Sequence, residues 1–219
     1  MVSKGRRAAK ELQRRKPTVD PRPSILVVCE GEVTEAEYLH AFKQRVRAVV
    51  NLVVVNKAGT PKPVVERAVL EKKSRELLAR QKRDESIKYS EVWCVFDVDE
   101  HPYLPEARQQ AKDNNLRVVI SNPCFELWLL LHFESCSAWT HRHAAQSRCR
   151  ELMPSYEKSP PLKTLESKYG AAVERARQLC IRNEKDGEPE RNPSTNVHEL
   201  TERLLALGQT ALLASLTKK

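Results

Sequence analysis

The sequence predicts an α/β fold: a parallel sheet of about four strands flanked by helices, followed by a helical C-terminal part. Three observations carry this. Four short apolar runs rich in β-branched residues lie between Ile25 and Ile120, segments with helical periodicity separate them, and the connections are long enough for right-handed crossovers between parallel neighbours.

The first run, Ile25 to Cys29 in SILVVCE, follows the prolines of PTVDPRP and stops abruptly at Glu30 and Gly31. A near-continuous apolar run of this kind reads as a strand covered on both faces. Thr34 and Glu37 have capping-box spacing, and Tyr38, Leu39, Phe42 and Val46 recur at helical intervals. NLVVVN supplies a second strand, Leu52 to Val55, and GTPKP a turn with a proline-led start for a charged helix to about Arg83. EVWCVF is the third strand, HPYLPEARQQAKDNN a turn into a short helix, and LRVVIS the fourth strand, Leu116 to Ile120. Beyond Ser121 no strand is expected. CFELWLLLHF is too apolar for a surface helix and should pack deep against the sheet, while residues 134–162 are mixed. Two helices close the chain: Leu162 to about Arg182, and an amphipathic one after NPSTN with Val197, Leu200, Leu204 and Leu207 on one stripe, with NEKDGEPERNP as the polar loop between them. The expected division is a basic arm (1–23), an α/β core (24–133) and a helical elaboration packed on it (134–219).

A chain of 219 residues, 40% apolar, is long enough to bury its own core. It has no apolar run near the roughly 18 to 20 residues that span a bilayer, and its N-terminus lacks the apolar centre of a secretory signal, so a cytoplasmic protein without membrane contact is expected. The six cysteines form no C-x-x-C pair and read mostly as reduced core thiols. The net charge of +9 is concentrated: residues 1–23 hold eight Lys/Arg against Glu11 and Asp20, which leaves 30 basic and 27 acidic residues elsewhere. That arm reads equally as a solvated tail or as a phosphate-tracking segment. With aromatics at only 5%, an aromatic RNA-binding sheet is disfavoured, and Trp93, Trp128 and Trp139 read as core, as does His132. His141 and His143 find no further ligands at zinc spacing.

The chemistry is concentrated where strands end. In an open parallel sheet the ligand crevice lies beyond the carboxyl ends of the strands. The first strand delivers Glu30 there, with Glu32 and Glu35 close behind, and the third delivers Asp97 and Asp99. Gathered carboxylates repel one another and cost desolvation unless a cation neutralises them, so a hard divalent ion, Mg²⁺ or Mn²⁺, suits this oxygen-only set. The one-residue gap between Asp97 and Asp99 points both side chains the same way off the strand, where they can share one ion or bridge two. A single acid after a strand is, by contrast, commonly a turn residue or a helix cap.

The motifs C-E-G-E-V-T-E, F-D-V-D-E-H, S-N-P-C-F-E-L-W-L-L-L-H-F and N-P-S-T-N-V-H-E-L (residues 192–200), in that order, resemble the RloB-like family, which is grouped with the Toprim-type proteins. The resemblance covers about residues 24–210 and leaves out the basic arm. It implies a Toprim-like sheet with an acidic Mg²⁺ site of the kind used by topoisomerases, primases and overcoming-lysogenization-defect nucleases. Glu30 matches the Toprim glutamate after the first strand, Asp97 and Asp99 the D-x-D pair, and Glu35 and Glu126 positions characteristic of the subfamily. The resemblance further implies a bacterial anti-phage effector, with an ATPase encoded nearby as a partner.

A nuclease acting on DNA or RNA would use Asp97 and Asp99 as primary metal ligands, Glu30 as ligand or general acid/base, and Glu35 and Glu126 to complete the shell. Gly31, His101 and Asn122 are candidate substrate contacts: Gly31 by close backbone approach, His101 by touching phosphate or simply as a turn histidine before Pro102, and Asn122 by positioning a ligand or capping the next helix. A homo-oligomer is admissible. Two other classes stay open. A phosphohydrolase of the haloacid dehalogenase type also has an apolar strand before D-x-D, although Glu100 and His101 follow here and the first motif is then unexplained. The other is a non-catalytic nucleic-acid-binding or regulatory subunit.

Overall fold

The computed structural model of the chain describes residues 23–31, 33–46, 51–55, 60–98, 104–154, 156 and 161–216. Four strands, β1 (Ser24–Cys29), β2 (Asn51–Val55), β3 (Glu91–Asp97) and β4 (Arg117–Asn122), run parallel in the spatial order β2-β1-β3-β4, and a two-residue β5 (Ser194–Thr195) pairs antiparallel with β4. The helices are α1 (Thr34–Val46), α2 (Pro61–Lys82), α3 (Leu104–Asp113), α4 (Glu126–Leu131), α5 (Arg142–Leu152), α6 (Leu162–Lys185) and α7 (Val197–Leu216). The parallel α/β sheet with helices on its faces is the expected one.

Strand periodicity divides the core in two. Ile25, Val27, Cys29, Trp93, Val95 and Val119 face one side, where they meet α1 and the helices of the C-terminal half. Leu26, Val28, Val92, Cys94, Phe96 and Ile120 face the other, where α2 and α3 supply Val64, Val65, Ala68, Ala107 and Ala111. Successive side chains of a strand point to opposite faces, so burial on both sides requires the uninterrupted apolar runs of β1 and β3. α4 is the extreme case. All six of its residues are buried, and each fully buried leucine contributes about 1.5–3 kcal/mol of transfer free energy, enough to hold this short helix in the core. Glu126 alone among them carries a charge.

Two expectations need correction, the end of the strands at Ser121 and the burial of Trp139. The strands do not stop at Ser121, because β4 continues to Asn122 and β5 adds to it. Within residues 134–162 the chain forms α5, whose apolar stripe is narrow, with only Ala145 and Cys149 buried. The six cysteines are free, four of them buried. Trp93 and Trp128 are core, 1% and 0% exposed, whereas Trp139 is 69% exposed. His132 is buried, with Nδ1 2.9 Å from the Trp128 carbonyl, and Nε2 has no hydrogen-bond partner among the described residues.

The motif N-P-S-T-N fastens the C-terminal half to the sheet. Beyond β5, the Asn196 side chain takes the place of a ladder residue: its Oδ1 accepts the Ile120 N–H at 2.7 Å, and its Nδ2 donates to the Val118 carbonyl at 3.2 Å. Asn196→Ala should therefore leave a donor and an acceptor of β4 unpaired, at a cost of about 2 kcal/mol, and lower the melting temperature by about 4–8 °C. A thermal melt within a degree of wild type would show that water replaces the amide.

Candidate carboxylate site

The strand order reverses between β1 and β3. The chain leaves β1 toward β2 on one side and returns to β3 on the other, and such a switch point opens a crevice at the carboxyl ends of the two strands. Glu30 and Asp97 lie there. Cys29 is in register with Val95, the Glu30 N–H extends the ladder to the Val95 carbonyl at 3.0 Å, and Glu30 Oε2 accepts the Asp97 N–H at 3.3 Å.

Two helices bring further acids to this edge. Glu35 sits in the first turn of α1, and Glu126 opens α4. Asp97, Glu35 and Glu126 are each buried, 6–7% exposed. Gly31 has a clear reason to lack a side chain, because a Cβ there would overlap the Glu35 carboxylate.

The electrostatics are those of a crowded anionic pocket. Glu35 is pushed up to about 7, first by burial and then by the Glu126 and Glu30 carboxylates, with its backbone hydrogen bond and Arg142 opposing. Asp97 is driven well above the usual carboxylate range by burial, and then by Glu35, Glu126 and Glu30, with Arg142 opposing. Nearby thiols respond to the same field. Cys29, Cys124 and Cys149 are all raised, by burial first, and next by Glu35 for Cys29 and by Glu126 for the other two. Without a metal they stay protonated at neutral pH.

Two of the site's supporting residues are all but invisible in the sequence. Arg142, at the start of α5, reaches within 3.7 Å of Asp97 Oδ2. Tyr156 donates its hydroxyl to Glu126 Oε1 at 3.0 Å, and that hydroxyl lies 3.3 Å from Thr34 Oγ1. Burial, followed by the Glu126 charge, raises the phenol, so it remains a donor. The only hint was Arg142's position between two histidines. Those histidines are exposed, and the His141 ring caps α5 by accepting the His143 N–H at 3.3 Å.

Asn122 points its amide away from a capping role. Nδ2 donates to the Glu190 carbonyl at 2.7 Å, and α4 has Phe125 at its N-cap position without a side-chain cap. Asp99, His101 and Glu32 lie outside the described residues, as do residues 1–22 of the arm. Among the described residues, no three His, Cys, Asp or Glu side chains are placed to hold one ion between them. Glu30, Glu35, Asp97 and Glu126 share one field without converging on a point. This is a field that a cation would relieve: buried Glu35 and Asp97 are each raised by neighbouring carboxylates, with one guanidinium opposing.

Among the described residues, no helix is long and apolar enough to cross a membrane. The model of the RloB-like protein family matches residues 25–204, and the chain belongs to that family. No curated protein and no solved structure matches it.

Proposed function

We propose that this RloB-like protein is a metal-dependent phosphodiesterase that cleaves nucleic acid, with its reaction centre at the β1/β3 switch point. The observation that carries this reading is the burial of mutually repelling carboxylates from β3, α1 and α4 beside Glu30 at the mouth of a parallel sheet. A fold gains nothing from such a cluster, because buried charges of one sign each cost desolvation as well as repulsion. A bound Mg²⁺ or Mn²⁺ would lower the pKa of a nucleophilic water and neutralise charge on the phosphorane-like transition state.

Asp97 and Asp99 are the primary ligands in this reading, and Glu35 and Glu126 complete the shell. Half-buried Glu30 would take a proton from water or return one to the leaving oxygen. Arg142 supplies positive charge to the Asp97 side of the pocket. Tyr156 holds the Glu126 carboxylate by one oxygen, which fixes the direction of the other. The family resemblance adds an anti-phage setting and an ATPase partner to the proposal.

Metal binding has a direct test. Mg²⁺ or Mn²⁺ should raise the melting temperature, because a ligand bound only by the folded state stabilises it by mass action. The double change Asp97→Asn, Asp99→Asn should abolish that rise and leave the protein folded. A metal-induced rise that survives in the double variant would put the ion elsewhere.

A further inference from the structure

We infer that Trp139, His141 and His143 form a stacking platform for unpaired nucleotides, over which a single-stranded segment is led past Arg142 to the carboxylates. This deepens the phosphodiesterase reading and rests on it. Trp139 is 69% exposed in a protein that buries its other two tryptophans completely. A single exposed apolar side chain is unremarkable on its own. Here it begins a file of rings, 6.2 Å from Trp139 to His141 and 5.1 Å from His141 to His143, with all three side chains facing solvent.

The backbone under the rings is held firmly. Asn192 clamps Thr140 from both sides, accepting its N–H at 3.0 Å and donating to its carbonyl at 2.8 Å. Arg182 donates to the Ser137 carbonyl at 3.0 Å, and the His141 ring is fixed by its capping bond to the His143 N–H. The platform is therefore set before a ligand arrives. Its inner end adjoins the acids, because Arg142, between the two histidines, contacts Asp97.

Its outer end adjoins positive charge. Arg175 and Arg182, half-buried on α6, line a cavity of about 190 Å³ with Ser135, Ser137 and Gln178. Both guanidiniums donate to main-chain carbonyls, of Leu131 and Ser137, and the Glu134 carboxylate nearby is forked by Arg148. Aromatic faces for bases with guanidiniums for phosphates is the chemistry that holds single strands without reading their sequence.

The test uses the full chain in EDTA, so that binding is read without cleavage. A mixed-sequence oligonucleotide of about 12 nucleotides, as DNA and as RNA, should quench the tryptophan emission, which solvent reaches chiefly at Trp139. Trp139→Ala should weaken its binding by about tenfold, and Trp139→Tyr should restore most of it. The same sequence annealed to its complement should bind both variants like wild type. Equal loss on single strand and duplex, or single-strand affinity unchanged in Trp139→Ala, overturns the platform. Unchanged affinity together with altered self-association would make the surface a protein interface instead. Wild-type protein that binds no oligonucleotide sinks this inference, whereas binding without cleavage on adding metal sinks only the hydrolytic reading.

Discussion

Glu30→Gln should abolish cleavage, by about a hundredfold or more, while leaving the fold untouched. The substitution suits the site because the amide keeps the size of the acid and an oxygen that can still accept the Asp97 N–H. Half-buried Glu30 also continues the ladder through its main chain, by donating to the Val95 carbonyl, and this bond is indifferent to the side chain. A structural role thus predicts a nearly silent change and a catalytic role a dead enzyme with an unaltered melt. The assay should offer DNA and structured RNA with Mg²⁺ or Mn²⁺, together with a neighbouring ATPase where one is encoded. Cleavage that survives in Glu30→Gln would sink the mechanism.

The second large effect concerns stability. Glu35, raised from 4.5 in its ordinary state to about 7 in the fold, gives up stability on ionising: the contribution is fully present below about pH 4.5 and is lost as pH rises through about 7. The loss is on the order of 3 kcal/mol, and Asp97, raised for the same reasons, acts in the same direction. Metal-free wild type should therefore melt lower at pH 8 than at pH 5.5. Glu35→Gln removes that ionisation, so at pH 8 without metal the variant should melt above wild type and lose part of the pH dependence, the remainder belonging to Asp97, and Mg²⁺ should raise its melt less. A variant that melts below wild type at pH 8 would mean that the Glu35 charge is already compensated.

Much of this architecture can be read from the sequence, for physical reasons. Buried parallel strands need unbroken apolar runs, and β1 and β3 have them. Glu30 and Asp97 were visible because an acid directly after such a run breaks its pattern. α5 was not, since a helix that buries only Ala145 and Cys149 carries too little periodicity to detect. β5 was hidden by its two-residue length, and by its dependence on Asn196, which bonds across to positions 76 and 78 residues earlier. Trp139 misled because residue type suggests burial, while exposure is decided by neighbours that no local window contains. For Arg142 and Tyr156 the relevant partner lies far along the chain, and spacing says nothing about it.

That last separation has a consequence during synthesis. Thr34 and Tyr156 are 122 positions apart, so at about 5–20 residues per second a ribosome needs roughly 6–24 s between making the two. Glu30 and Glu35 are made first, and β3, Glu126 and Arg142 follow in that order within the interval. A nascent chain ending before α5 holds every acid of the cluster, and Trp139 and His141 of the ring file, but it lacks Arg142, His143 and Tyr156. Translation thus imposes a delay on this protein, and every chain still short of Tyr156 is an incomplete one.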